Sequence, residues 1–112
     1  MAEKRKLTRH RKRLMLRFGI DAPARMAFTE DISTEGLFIK TVNTCRPGAR
    51  ILIDLTMPSN LVVQLEAEVR WAKKVPPQMV NLAIKSGMGL KITRFLKGAD
   101  IYSQFLAEIP TC

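Results

Sequence analysis

The chain has 112 residues, 46% of them apolar and 26% charged, which suits one ordinary globular domain and excludes both two separate cores and a disordered chain. Its net charge is +9, and +7 of this falls in residues 1–17, where eight Lys and Arg meet one acid. Nucleic-acid binders usually spread such charge over a folded face, whereas here a nearly neutral domain carries a cationic leader.

Strictly aliphatic runs reach only three residues, as in Ile51-Leu52-Ile53, too short for a helical membrane span. No apolar stretch follows the early charges as it would in a signal peptide, so the expected location is cytoplasmic. Cys45 and Cys112 are then expected as reduced thiols. One His and two separated Cys do not complete a four-ligand zinc site, so no metal or cofactor is expected.

Residues 1–12 read as a flexible basic leader, because like charges repel and apolar anchors are few, and residues 13–112 as the folded domain. Leu14, Leu16 and Phe18 alternate until Gly19 and Asp21-Ala22-Pro23 break the run. Met26, Phe28 and Ile32 share a parity and are expected to face the core. Leu37-Phe38-Ile39 starts a further strand, and Ile51, Ile53, Leu55 and Met57 mark the next, up to Pro58-Ser59-Asn60. Leu61, Val63, Leu65, Ala67, Val69 and Trp71 give the cleanest alternation, and Met88, Leu90 and Ile92 a weaker last one.

The strand at 61–74 would reach about 45 Å if straight, against about 25–30 Å for a domain of this size. It must bend and coil, as strands do when a sheet closes into a small barrel. Ile101, Phe105 and Ile109 then recur every fourth residue beside Tyr102 and Leu106, with Asp100 at the start and Pro110 after the end. The expected fold is therefore mainly β, a six-stranded antiparallel barrel with one C-terminal helix over about 99–109. Pro76–Ser86 is apolar beyond its Pro76-Pro77 break and reads as a loop or helical turn folded over the barrel, in preference to a partner surface.

Two motifs stand out. Asp31-x-Ser33-x-x-Gly36 follows a strand, where Asp and Ser side chains can bond nearby backbone and Gly can take a positive φ. Taken alone, it reads more readily as a turn than as a site. The same three residues can also edge a polar pocket, with a carboxylate acceptor, a hydroxyl and a bare stretch of backbone. Arg-x-x-x-Arg recurs at Arg5/Arg9, Arg9/Arg13 and Arg13/Arg17, a spacing of little weight in so basic a segment. The combination carries more: an arginine pair ends where the first strand starts, and the Asp-Ser-Gly turn follows one hairpin later.

Together these residues resemble the PilZ domain, a bacterial receptor for cyclic di-GMP. Arg9-x-x-x-Arg13 is similar to the family's arginine motif, Asp31-Ile32-Ser33-Thr34-Glu35-Gly36 to its second motif, and Val69-Arg70-Trp71 and Gly87-Met88-Gly89-Leu90 to its later strands. The resemblance implies a six-stranded antiparallel barrel with a C-terminal helix. It also implies a cyclic di-GMP site at Arg9, Arg13, Asp31, Ser33 and Gly36, with Thr8 and Trp71 as secondary candidates. Arg9/Arg13 is the preferred pair because Arg13 abuts the strand.

The ligand chemistry agrees. Arginine's planar fork suits guanine O6 and N7 or a phosphate, and a carboxylate accepts from guanine's N1–H and N2–H₂ edge. Trp71 could offer a stacking face, but its parity with Leu65 and Val69 favours core packing.

An enzyme is not expected. His10 stands alone in the basic leader, Glu66 and Glu68 share a solvent-facing parity, and no nucleophile–base pair or Gly-rich phosphate loop is present. The alternatives are a basic small barrel that binds nucleic acid, or an adaptor that binds only protein or an anionic membrane surface. The seven aromatics show no basic–aromatic alternation, which disfavours the first. The expected partners are cyclic di-GMP and a downstream effector protein, with no specific nucleic acid and no membrane insertion, in a monomer or weak dimer.

Overall fold

Alternating apolar residues build the sheet, and a few extra residues close it. The computed structural model describes residues 9–73 and 86–109. Its strands are β1 (His10–Arg11), β2 (Met15–Gly19), β3 (Arg25–Ile32), β4 (Gly36–Lys40), β5 (Arg50–Thr56), β6 (Val62–Lys73) and β7 (Gly87–Lys97), followed by α1 (Ala99–Ala107). All pairings are antiparallel, in the order β3-β2-β5-β6-β7-β4, and β4 returns to β3, so six strands form a closed barrel. The short β1 lies along the edge of β3 beyond β2. Two residues of the expected leader, His10 and Arg11, are thus laid on the sheet.

The core follows the expected parities on β2, β5 and the middle of β6: Leu16, Phe18, Ile53, Leu55, Leu65 and Val69 are all buried. β6 coils as its length requires, with register shifts against β7 at Gln64/Leu65, Glu66/Ala67 and Val69/Trp71.

Two expected faces are corrected. On β3 the buried residues are Ala27, Thr29 and Ile32, while Met26 is exposed and Phe28 half-buried. Glu30 is an extra residue between the pairs Thr29↔Ile39 and Asp31↔Phe38, and this bulge switches the inward parity midway along the strand. On β6 the pairs Val69↔Leu90 and Trp71↔Gly89 leave Arg70 as the extra residue. Trp71 therefore leaves the core face of Val69 and is 43% exposed.

One barrel end gathers the β3–β4 turn, the β5–β6 turn and α1. In the β5–β6 hairpin Asn60 takes φ 74°, and its N–H donates to the Met57 carbonyl at 2.8 Å. Gly98, at φ 88°, swings the chain from β7 into the helix. Tyr102 and Leu106 bury inward from α1, and Ile101, Phe105 and Ile109 pack alongside, as the stripe predicts. Among the described residues no helix is long and apolar enough to cross a membrane. Residues 76–85 of the apolar Pro76–Ser86 segment lie outside the described residues.

Candidate ligand-binding cleft

The β3–β4 turn is shaped by Ser33. Its N–H donates to the Gly36 carbonyl at 2.9 Å, its hydroxyl donates to the same carbonyl at 3.4 Å, and the N–H groups of Glu35 and Gly36 donate to that hydroxyl at 3.3 and 3.2 Å. The Ser33 side chain is thus turned in on its own turn. Gly36 does not have a positive φ, which corrects one expected reason for a glycine there. A Cβ at Gly36 would collide with the Leu90 carbonyl oxygen, so the glycine is required by the close approach of β4 to β7.

Pairing of β1 with β3 sets His10 opposite Ile32 and Arg11 opposite Asp31. This carries Arg9 to the turn, where its guanidinium stands 3.5 Å from the Asp31 carboxylate. Arg9 is largely exposed and Asp31 only slightly, so this ion pair adds little to stability and is readily exchanged for another partner. Arg11 makes a parallel contact with Glu30 at 3.2 Å.

Opposite the turn stands Trp71. Its indole lies over Gly89, where any Cβ would strike the ring, and packs against Phe38 with ring centroids 5.2 Å apart and a tilt of 33°. One cleft is consequently lined by Arg9, Asp31, Ser33, Gly36, Arg70 and Trp71, among others. A carboxylate, two guanidinium groups and an indole face suit a planar, hydrogen-bonding, anionic ligand.

Arg13 is elsewhere. Residues 12–14 stand opposite only Thr29 and Glu30, so one extra residue breaks the leader's period between Arg9 and Arg13. The Arg13 guanidinium lies 4.1 Å over the Phe28 ring, in a neighbouring cleft with Arg11, Lys12 and Lys40.

Of the expected site residues, then, Arg9, Asp31, Ser33, Gly36 and Trp71 share a cleft, Arg13 lines the adjoining one, and Thr8 lies outside the described residues. Sequence reasoning missed Arg70, which looked like an ordinary outward residue because a bulge leaves no mark in the alternation. It also missed the role of Tyr102, whose hydroxyl donates to the Ser33 carbonyl at 2.6 Å. A tyrosine in an apolar helix stripe was the available signal, since a buried phenol needs a partner.

Comparison with known proteins agrees with this architecture. The structure of the Bacillus subtilis inhibitor of motility (MotI/DgrA) is similar, with a TM-score of 0.70 at 15% identity, covering 96% of this chain and 54% of that one. At that identity the likeness is one of fold, and this chain spans about half the length of that protein. No curated protein matches the chain. The PilZ domain profile matches residues 3–101. With that match over most of its length and a closed six-stranded barrel followed by one helix, the chain belongs to the PilZ domain family, a family of non-catalytic cyclic di-GMP receptor domains.

Proposed function

We propose that this protein binds cyclic di-GMP at the Arg9–Asp31 cleft and acts in the cytoplasm as a non-catalytic signalling receptor for a downstream effector protein. The observation that carries this reading is the meeting of Arg9 and Asp31, 22 positions apart, at 3.5 Å beside the Ser33–Gly36 turn. On binding, Asp31 exchanges Arg9 for the N1–H and N2–H₂ edge of a guanine, and Arg9 is released to a phosphate or to guanine O6 and N7. Arg13 reaches the ligand from the adjoining cleft by leaving the Phe28 ring. The Ser33 hydroxyl serves the ligand chiefly through the turn it shapes, and Gly36 keeps the strand backbone close.

Transmission follows from the charge. β1 is two residues long and the arginines of the ion pairs beside it are exposed, so few bonds hold the segment before Lys12 to β3. A ligand with two phosphates adds contacts that exist only when Arg9 and Arg13 are both in place, and so orders the leader and changes the surface presented to the effector.

Calorimetry with cyclic di-GMP, cyclic di-AMP and GTP tests the binding. Micromolar or tighter binding of cyclic di-GMP is expected, with cyclic di-AMP rejected, since an unmatched polar group in the site costs about 1–3 kcal/mol. Equal binding of both dinucleotides overturns the role of Asp31. Amide exchange tests transmission: residues 9–13 should slow on ligand addition while β6 changes little. A leader equally protected without ligand overturns the ordering step.

A further inference from the structure

Among the described residues Tyr102 is the largest side chain buried almost completely, at 1% exposure, and it lies outside both clefts. From the first turn of α1 its ring packs on Phe95 with centroids 5.5 Å apart, and its hydroxyl donates to the Ser33 carbonyl at 2.6 Å. Ser33 is 69 positions away, inside the motif that carries Asp31. The other hydrogen bonds of Ser33 described above all run to Glu35 or Gly36, within the turn. Such local bonds give a turn its shape; the pairs Ile32↔Leu37 and Gly36↔Lys91, and the Ile92 N–H that donates to the Glu35 carbonyl at 2.8 Å, place its ends on the sheet but do not reach Ser33. The Tyr102 bond reaches Ser33 itself, from a helix that buries Leu106 as well.

We propose that Tyr102 is a positioning residue of the ligand site, its hydroxyl holding the Ser33 carbonyl so that the turn presents Asp31 and the Ser33–Gly36 backbone at a fixed distance from Arg9 and Trp71. This rests on the reading of that cleft as the ligand site. Without the hydroxyl, the Ser33 carbonyl loses a buried donor and the turn must shift toward water to recover one. The ligand then meets a turn displaced from the geometry in which its polar groups are matched, and affinity falls although no contact residue has changed.

The test compares Tyr102→Phe, which keeps the ring packing, with Leu106→Ala, which weakens the same helix without touching the turn. Ile109→Ala replaces the latter if it fails to fold. Two quantities are read for each folded variant: calorimetric affinity for cyclic di-GMP, and exchange rates of the Glu35 and Gly36 amides without ligand. Tyr102→Phe should weaken binding by about three- to tenfold and speed both amides, as loss of one net hydrogen bond predicts. The helix variant should bind within about twofold of the unsubstituted protein, because it keeps both the Tyr102 hydroxyl and the Ser33 carbonyl that accepts from it. Unchanged affinity in Tyr102→Phe, or an equal loss in the helix variant, overturns the proposal. If the unsubstituted protein binds no cyclic di-GMP, the ligand reading fails instead, and the exchange rates by themselves decide whether Tyr102 holds the turn.

Discussion

The hydroxyl of Thr29 donates to the Lys12 carbonyl at 2.6 Å, and it also accepts from the Leu14 N–H at 2.8 Å. It thereby bridges the break between β1 and β2 at the point where the leader's extra residue interrupts the ladder. Thr29 is 2% exposed, so both backbone groups depend on it for partners that water cannot easily replace. Thr29 is thus the buried side chain that joins the arginine segment to the barrel, beside the short β1–β3 ladder, the Lys12 N–H bond to the Glu30 carbonyl and the contacts of Arg9, Arg11 and Arg13.

Thr29→Val keeps the shape and removes the bridge. Stability should fall by about 1–3 kcal/mol, the cost of stranding buried polar groups. The amides of residues 10–14 should exchange faster than those of β5. Denaturant unfolding and amide exchange check both, and an unchanged exchange rate at residues 10–14 would show that the ladder and the other contacts hold the leader without it.

The arginines should separate by place. Arg9→Ala and Arg13→Ala should each weaken cyclic di-GMP binding by about 1–3 kcal/mol, as charge-assisted bonds do. Arg17, exposed on β2 opposite Asp54 and Met26, contributes only general charge, so Arg17→Ala should cost a few tenths. The same is expected of Arg5→Ala. A larger loss from Arg17 or Arg5 than from Arg13 would move the motif by one four-residue step.

Trp71 is the sole tryptophan and stands at the cleft rim, so ligand binding should alter its emission with the midpoint found by calorimetry. If a base stacks on the indole, Trp71→Ala should cost about 1–3 kcal/mol in affinity. Emission that stays constant through saturation would exclude the indole from the site.

Burial pushes the Tyr102 hydroxyl well above the ordinary phenol value of 10.0. Its neutral form is therefore favoured in the folded protein, a contribution fully present below the unfolded value and lost as pH rises past it. Unfolding free energies measured between about pH 8 and about pH 11 should fall more steeply for the unsubstituted protein than for Tyr102→Phe. Parallel curves would mean that the phenol ionises as freely in the folded chain as in the unfolded one.

Local pattern was enough to read most of the barrel. The alternation named the inward faces correctly at Leu14–Phe18, Ile51–Met57 and, within Leu61–Trp71, at Val63–Val69, because a strand with one wet side has a period of two; Leu61, at the turn before β6, is exposed. The stripe at Ile101, Tyr102, Phe105 and Leu106 likewise announced α1. Misread were the faces beyond a bulge: single extra residues at Glu30 and Arg70 reverse the parity of Phe28 and Trp71 without changing composition.

The motif residues were visible as types, but their grouping was not. Arg9 meets Asp31 only because β1 pairs with β3 in one register, and Arg13 parts from them only because the ladder takes in an extra residue on the way. Tyr102 meets Ser33 only because Gly98 turns the chain back across the end of the barrel. Periodicity reports which side of its own strand or helix a residue faces. Which distant residue waits on that side is decided by strand register and element packing, and these depend on the whole closed sheet.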